Sequence, residues 1–139
     1  MSGRITRVEV EGIDKAGKST LVYYLRHLSG FRLAVSDRGV ATSMALNSMH
    51  GVRLEAPDDV DGSVIVYLTV DPEDWALRCS MTHEPMIPYD LFVRHWDEAI
   101  GELERRGAKV LRFDSSALTP YAIAREVVAM LDNQKGEEK

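Results

Sequence analysis

Eight residues near the start of the chain, Gly12-Ile13-Asp14-Lys15-Ala16-Gly17-Lys18-Ser19, have the types and spacing G-x-x-x-x-G-K-[ST]. Such a run binds phosphate for identifiable reasons. The glycines let the backbone curl so that successive N–H groups face phosphate oxygens, the lysine adds a point charge, and the following helix adds the positive end of its dipole. The hydroxyl after the lysine is a hard ligand suited to Mg²⁺. The pattern requires a strand before it and a helix after it. Ile5 to Glu11 alternates as a strand does, and from Lys18 the apolar residues Leu21, Tyr24, Leu25 and Leu28 repeat at helical spacing until Ser29-Gly30. A bound nucleoside triphosphate follows as the first expectation, with Gly12, Ile13, Asp14, Lys15, Ala16, Gly17, Lys18, Ser19 and Thr20 around it.

The remaining elements must position that loop. Phe31 to Ser36 reads as a short strand ending at Asp37-Arg38-Gly39, and Val40 to Met49 as a helix closed by Gly51. Ser63 to Val70 is apolar and β-branched throughout, as expected of a strand buried on both faces. Asp71-Pro72-Glu73-Asp74 opens a helix with a cap, a first-turn proline and first-turn carboxylates. Residues 81–88 read as a loop. Tyr89 to Arg106 carries Phe92, Trp96, Ala99 and Leu103 on one stripe and ends at Gly107. Ala108 to Phe113 is a strand, Ser115 to Thr119 a turn, and Thr119-Pro120 caps a last helix with Ile123, Val127 and Leu131 inward. Alternating strands and helices predict an α/β fold: three layers, helices on both faces of a parallel sheet of about four strands, the P-loop NTPase type. Ligands of such sheets bind at the carboxyl ends of the strands. One domain is expected over residues 1–133, with a polar tail at 134–139.

Composition narrows the partners. The 139 residues hold 17 basic and 22 acidic side chains, a net charge of −5, which argues against a nucleic-acid or anionic-membrane surface. No apolar stretch approaches the roughly 20 residues of a membrane helix. The lone Cys79 and the absence of an apolar segment after Met1 point to a reducing, cytoplasmic setting. Asp58, Asp59 and Asp61 read as a solvated surface loop. His27, His50, His83 and His95 have no metal-ligand spacing with one another or with Cys79.

With no N-K-x-D-like guanine motif, and too little chain for a helical lid domain, a small kinase is the class that fits the loop. Val8-Glu9-Val10-Glu11-Gly12-Ile13-Asp14-Lys15-Ala16-Gly17-Lys18-Ser19-Thr20 closely resembles the start of thymidylate kinases, E-G-x-D-(G/R/K)-x-G-K-[ST]-T. Three later segments resemble that family in order. They are Asp37-Arg38 after a short strand, Val66-Tyr67-Leu68-Thr69-Val70-Asp71-Pro72-Glu73 followed by Arg78, and Phe113-Asp114-Ser115-Ser116 before the last helix.

The resemblance implies Mg²⁺-dependent transfer of the γ-phosphoryl group of ATP to a (deoxy)nucleoside monophosphate, a small-molecule substrate. By the same resemblance Lys18 holds the β- and γ-phosphates, Ser19 ligates the metal, and Asp37 holds the metal's water shell. Arg38 meets the acceptor phosphate and Asp14 the acceptor sugar, while Arg78 and the Ser115-Ser116 turn lie on the ATP side. Relatives with a basic residue at the Lys15 position tend to lack catalytic arginines in the lid. Here residues 79–93 contain no arginine or lysine, so Lys15 is expected to supply the transition-state charge. Thymidylate kinases are often homodimers, so a homodimer is a further expectation.

The family pattern is incomplete on the acceptor side. Between Gly30 and Asp37 only one strand fits, and residues 39–70 leave little chain for the helices that clasp a nucleoside. Met44, Asn47, Met49 and His50 are either an acceptor wall or plain core helix. Two alternatives remain open: a P-loop kinase with another acceptor, such as a nucleoside or a polynucleotide 5′ end, and an ATP-binding protein without catalysis.

Overall fold

Four strands lie parallel in the order β2-β1-β3-β4, and five helices connect and cover them. The computed structural model describes residues 6–13, 15–57, 63–82 and 88–137. Strands are β1 (Thr6–Glu11), β2 (Leu33–Asp37), β3 (Val64–Thr69) and β4 (Lys109–Asp114). Helices are α1 (Lys18–Leu28), α2 (Val40–Met49), α3 (Pro72–Thr82), α4 (Tyr89–Arg105) and α5 (Pro120–Glu137). The expected α/β architecture with its parallel four-stranded sheet is thus observed.

β1 is central, pairing with β2 from Thr6↔Leu33 to Val10↔Asp37 and with β3 from Val8↔Val64 to Glu11↔Tyr67. Because side chains alternate along a strand, Val8 and Val10 face one layer while Glu9 and Glu11 face the other. α1 packs beside α5 on the first face, and α2 beside α4 on the second. Burial follows this layering. Val8, Val10, Val66, Leu21, Leu25, Ile123 and Val127 exclude solvent on the α1–α5 side, and Ile65, Ile100 and Leu103 do so on the α2–α4 side. Polar contacts help tie α4 down: the Tyr67 hydroxyl donates to Asp97 Oδ1 at 2.6 Å, and Ser48 Oγ lies 2.9 Å from His95 Nδ1. Burial, then the bond to Asp97, pushes the Tyr67 hydroxyl well above the usual phenol range.

Three boundaries differ from expectation by two residues or more. β2 begins at Leu33, because Gly30 and Phe31 both turn left-handed (φ 61° and 63°) and their N–H groups bond back to the His27 and Arg26 carbonyls. α3 continues through Thr82, beyond the expected start of the loop at 81. α5 continues to Glu137, past the expected boundary at 133, taking in Gly136 despite the poor helix propensity of glycine. The aspartates at 58, 59 and 61 and His83 lie outside the described residues. No helix among the described residues is long and apolar enough to cross a membrane.

Candidate nucleotide-binding site

The loop between β1 and α1 makes its turn by means few sequences allow. Gly12 has φ 152°, and a Cβ there would lie 2.8 Å from the Leu68 carbonyl oxygen, so the loop leaves β1 pressed against the end of β3. Lys15 and Gly17 are left-handed (φ 70° and 92°), and the Ala16 N–H closes a turn onto the Ile13 carbonyl at 3.2 Å. Gly12→Ala is expected to lower folding stability by about 2 kcal/mol, from the clash and the imposed φ. Denaturant unfolding of the variant checks this, and an unchanged midpoint contradicts it.

The first turn of α1 carries a cation and no acidic residue of its own. Gly17 is the helix N-cap and supplies no side-chain cap. Lys18, the first helical residue, is only 6% exposed, with Nζ donating to the Ile13 carbonyl at 2.8 Å. A cation at the positive end of a helix dipole is unfavourable by itself. Together with the N–H groups of the first turn, the arrangement suits an anion.

Ser19 and Thr20 follow on the exposed side of α1. Ser19 Oγ donates to Asp37 Oδ2 at 3.2 Å, which brings the loop to the end of β2. Arg38, next in sequence and exposed, is left-handed at φ 73°, with its N–H donating to the Val10 carbonyl at 2.9 Å. Lys18, Ser19, Asp37 and Arg38 therefore gather at the carboxyl ends of β1 and β2, with Lys15 and Ala16 in the loop between β1 and α1. Asp14 lies outside the described residues.

The other wall is built around Arg78. Its Nη1 donates to the Lys15 carbonyl at 2.6 Å and to Ser115 Oγ at 3.3 Å. Its Nη2 donates to the Ser115 carbonyl at 3.1 Å and pairs with Asp74 Oδ2 at 2.8 Å. Ser116 Oγ donates to Asp74 at 3.0 Å and accepts from the Asp71 N–H at 2.9 Å, while Ser115 Oγ donates to the Thr69 carbonyl at 2.8 Å. One guanidinium thus joins the phosphate loop, α3 and the turn after β4. Arg78→Ala is expected to weaken ATP binding about 10-fold, by loosening charge-assisted bonds that hold the loop. Arg78→Lys should not restore it, because a single ammonium cannot serve the same fork. Equilibrium titration with ATP decides, and parent-like affinity in Arg78→Ala refutes the point.

Sequence reasoning gives no role in the site to two residues that have structural weight there. Asp74 reads from the sequence only as a first-turn carboxylate. Glu11 is fully buried: its Oε2 accepts from the Gly39 N–H at 2.8 Å and the Thr42 N–H at 3.3 Å, and its Oε1 accepts from Thr42 Oγ1 at 2.5 Å. Burial raises its pKa above the usual carboxylate range, opposed by the bonds from Thr42. The sequence does contain a signal. β3 is apolar on both faces, so helices cover both, and a glutamate ending the neighbouring strand has to be buried and bonded. Met44, Asn47, Met49 and His50 are spread along α2 and its C-cap. Met44 is in the core, Asn47 Nδ2 donates to the Ser43 carbonyl, and Met49 and His50 lie at the far end of α2, about 14 Å from its start near Glu11.

No protein-family model and no curated protein matches the chain. The fold is similar to a crystal structure of the YorR protein of Bacillus subtilis in complex with phosphorylated GDP. The TM-score is 0.78 over 94% of this chain and 98% of that one, at 14% sequence identity. The likeness shows a shared α/β fold, that of a protein solved with a nucleotide, and it does not single out thymidylate kinases within that fold.

Proposed function

We propose that the chain is a magnesium-dependent phosphotransferase that moves the γ-phosphoryl group of ATP to a (deoxy)nucleoside monophosphate, as the thymidylate kinases it resembles do. The observation that carries this is the meeting of Lys18, Ser19, Asp37 and Arg38 beside the curled loop. Phosphoryl transfer needs positioning and cations around a dispersed negative charge rather than a nucleophile triad, and this set supplies both. Lys18 and the N–H groups of residues 12–20 would hold the triphosphate. Ser19 and Asp37 offer hard oxygen donors 3.2 Å apart, a donor set that fits Mg²⁺ or its water shell. The ion, when bound, neutralises phosphate charge.

Arg38 would bind the acceptor's phosphate, and Asp14 its sugar hydroxyl. Lys15 would face the phosphoryl group in transit. Arg78 would hold the loop to the Ser115-Ser116 turn, which borders the adenine. The phosphorylated GDP bound by YorR supports a nucleotide ligand with a phosphate chain, and it brings guanine nucleotides into the test. A cytoplasmic setting and a homodimer belong to the same proposal.

The test supplies the protein with γ-labelled ATP or GTP, Mg²⁺ and a panel of nucleoside monophosphates, nucleosides and 5′-hydroxyl oligonucleotides. Label is expected on nucleoside diphosphates alone. Label on nucleosides or oligonucleotides instead would identify a different kinase, and binding of ATP with no transfer anywhere would identify a non-catalytic protein.

A further inference from the structure

We infer that Glu11 is a positioning residue that sets Arg38 against the loop between β1 and α1, acting through its hydrogen bonds to the start of α2 rather than through its charge. This rests on the phosphotransferase reading above.

Arg38 is left-handed without being glycine, a conformation that persists only where the surroundings hold it. Both of its flanking peptides are tied to the last two residues of β1. The Arg38 N–H donates to the Val10 carbonyl at 2.9 Å, and the next N–H, that of Gly39, donates to Glu11 Oε2 at 2.8 Å. The residues that deliver the chain into Gly12 are therefore the same ones that hold Arg38. Gly39 is the N-cap of α2 and has no capping group of its own. A Cβ on it would meet Glu9 Oε1 at 2.1 Å, so a side chain at that position would have to displace the Glu9 carboxylate.

Glu11 replaces that missing cap from a distant part of the sequence. Its Oε2 accepts from the Thr42 N–H at 3.3 Å, the third helical position, which an N-cap side chain ordinarily serves. Its Oε1 accepts from the Thr42 hydroxyl at 2.5 Å. All three of these contacts can also be met by a neutral amide. A glutamine carbonyl can accept the two N–H groups while its amide donates to the Thr42 hydroxyl. An alanine leaves both N–H groups without that acceptor. The raised pKa of Glu11, caused first by burial, agrees with a site where negative charge is not favoured.

The experiment compares the full-length parent with Glu11→Ala, Glu11→Gln and Thr42→Ala. It measures ATP affinity by equilibrium titration, transfer to the preferred monophosphate, and the helical circular dichroism. In Glu11→Ala, kcat is expected to fall about 30-fold and the acceptor KM to rise, with ATP affinity within about 3-fold of the parent. Thr42→Ala should show the same split at about 5-fold, since it removes one of the three bonds. Glu11→Gln should recover at least about a third of the parent's transfer. Parent-like transfer in Glu11→Ala overturns the inference, as does equal impairment of Glu11→Gln, or ATP affinity lost in proportion to transfer. If Glu11→Ala does not fold, Thr42→Ala decides by the same split. A parent that binds ATP and transfers nothing overturns the functional reading, and this inference with it. A parent that transfers alongside an unaffected Glu11→Ala overturns this inference alone.

Discussion

Lys18→Ala is expected to reduce phosphoryl transfer by at least about 10³-fold, a loss of about 4 kcal/mol in transition-state stabilisation. The reasoning begins with a conflict in the protein alone. Lys18 is buried at the positive end of α1, whose first turn holds no acidic residue. A cation in that place opposes the helix dipole, and its bond to the Ile13 carbonyl at 2.8 Å lies within the loop itself. An anion seated there would meet the ammonium and the helix end together, and the proposed triphosphate would supply one. The same reasoning gives the substitution a second, opposite signature. Without nucleotide, the Lys18→Ala protein should unfold within about 1 kcal/mol of the parent, since the lost bond is offset by relief of the unfavourable dipole interaction. Rate assays and denaturant unfolding measure the two. Retained transfer refutes the assignment of the loop, and loss of transfer with wholesale unfolding refutes the argument for a purely functional lysine.

The second large effect is expected at Lys15. Lys15→Ala should lower kcat about 10²-fold while the KM for ATP changes by less than about 3-fold, because a charge used mainly in the transition state contributes little to ground-state binding. Residues 79–93 contain no arginine or lysine, so no cation from that segment can take over the role. The backbone supports the assignment. Lys15 is held left-handed at φ 70°, and its carbonyl is fixed by Arg78 at 2.6 Å. Alanine keeps the strain that lysine already bears at that φ, so Lys15→Gly serves as a second variant that removes the ammonium and the strain together. Both variants should show the same loss in kcat. A near-normal rate in Lys15→Gly would mean that the ammonium is dispensable.

The fold is readable because its signals are local and repeated. The loop spacing locates the end of β1 and the start of α1, the β-branched run locates β3, and the stripe through Phe92, Trp96, Ala99 and Leu103 locates α4. The start of β2 is harder to place because Phe31 looks like a strand residue, whereas the helix C-terminus draws it into the turn at φ 63°. Within the site, residues adjacent in sequence are easy to group, and those joined across the fold are not. Glu11 and Thr42 are 31 positions apart, and Arg78 and Lys15 are 63 apart. Neither pair has a periodicity to reveal it. Arg78 can be singled out only by resemblance, and its bonds to a backbone carbonyl and a turn become apparent only with the sheet assembled.

The acceptor side is the less complete half. α2 starts at the site, held by Glu11, but it runs away from it and carries Met49 and His50 to the opposite end of the sheet. Arg38, the proposed acceptor contact, is held beside the loop by its N–H bond to the Val10 carbonyl.

The central claim is that residues 12–19 seat the phosphate chain of a nucleoside triphosphate, and a comparison of ATP and AMP binding to the parent protein in Mg²⁺ tests it most directly. Phosphates held by backbone N–H groups and Lys18 should make ATP bind at least about 100-fold tighter than AMP, a difference of about 2.7 kcal/mol. Equal affinities for the two would show that the loop does not hold the phosphate chain, and would contradict the account at its base.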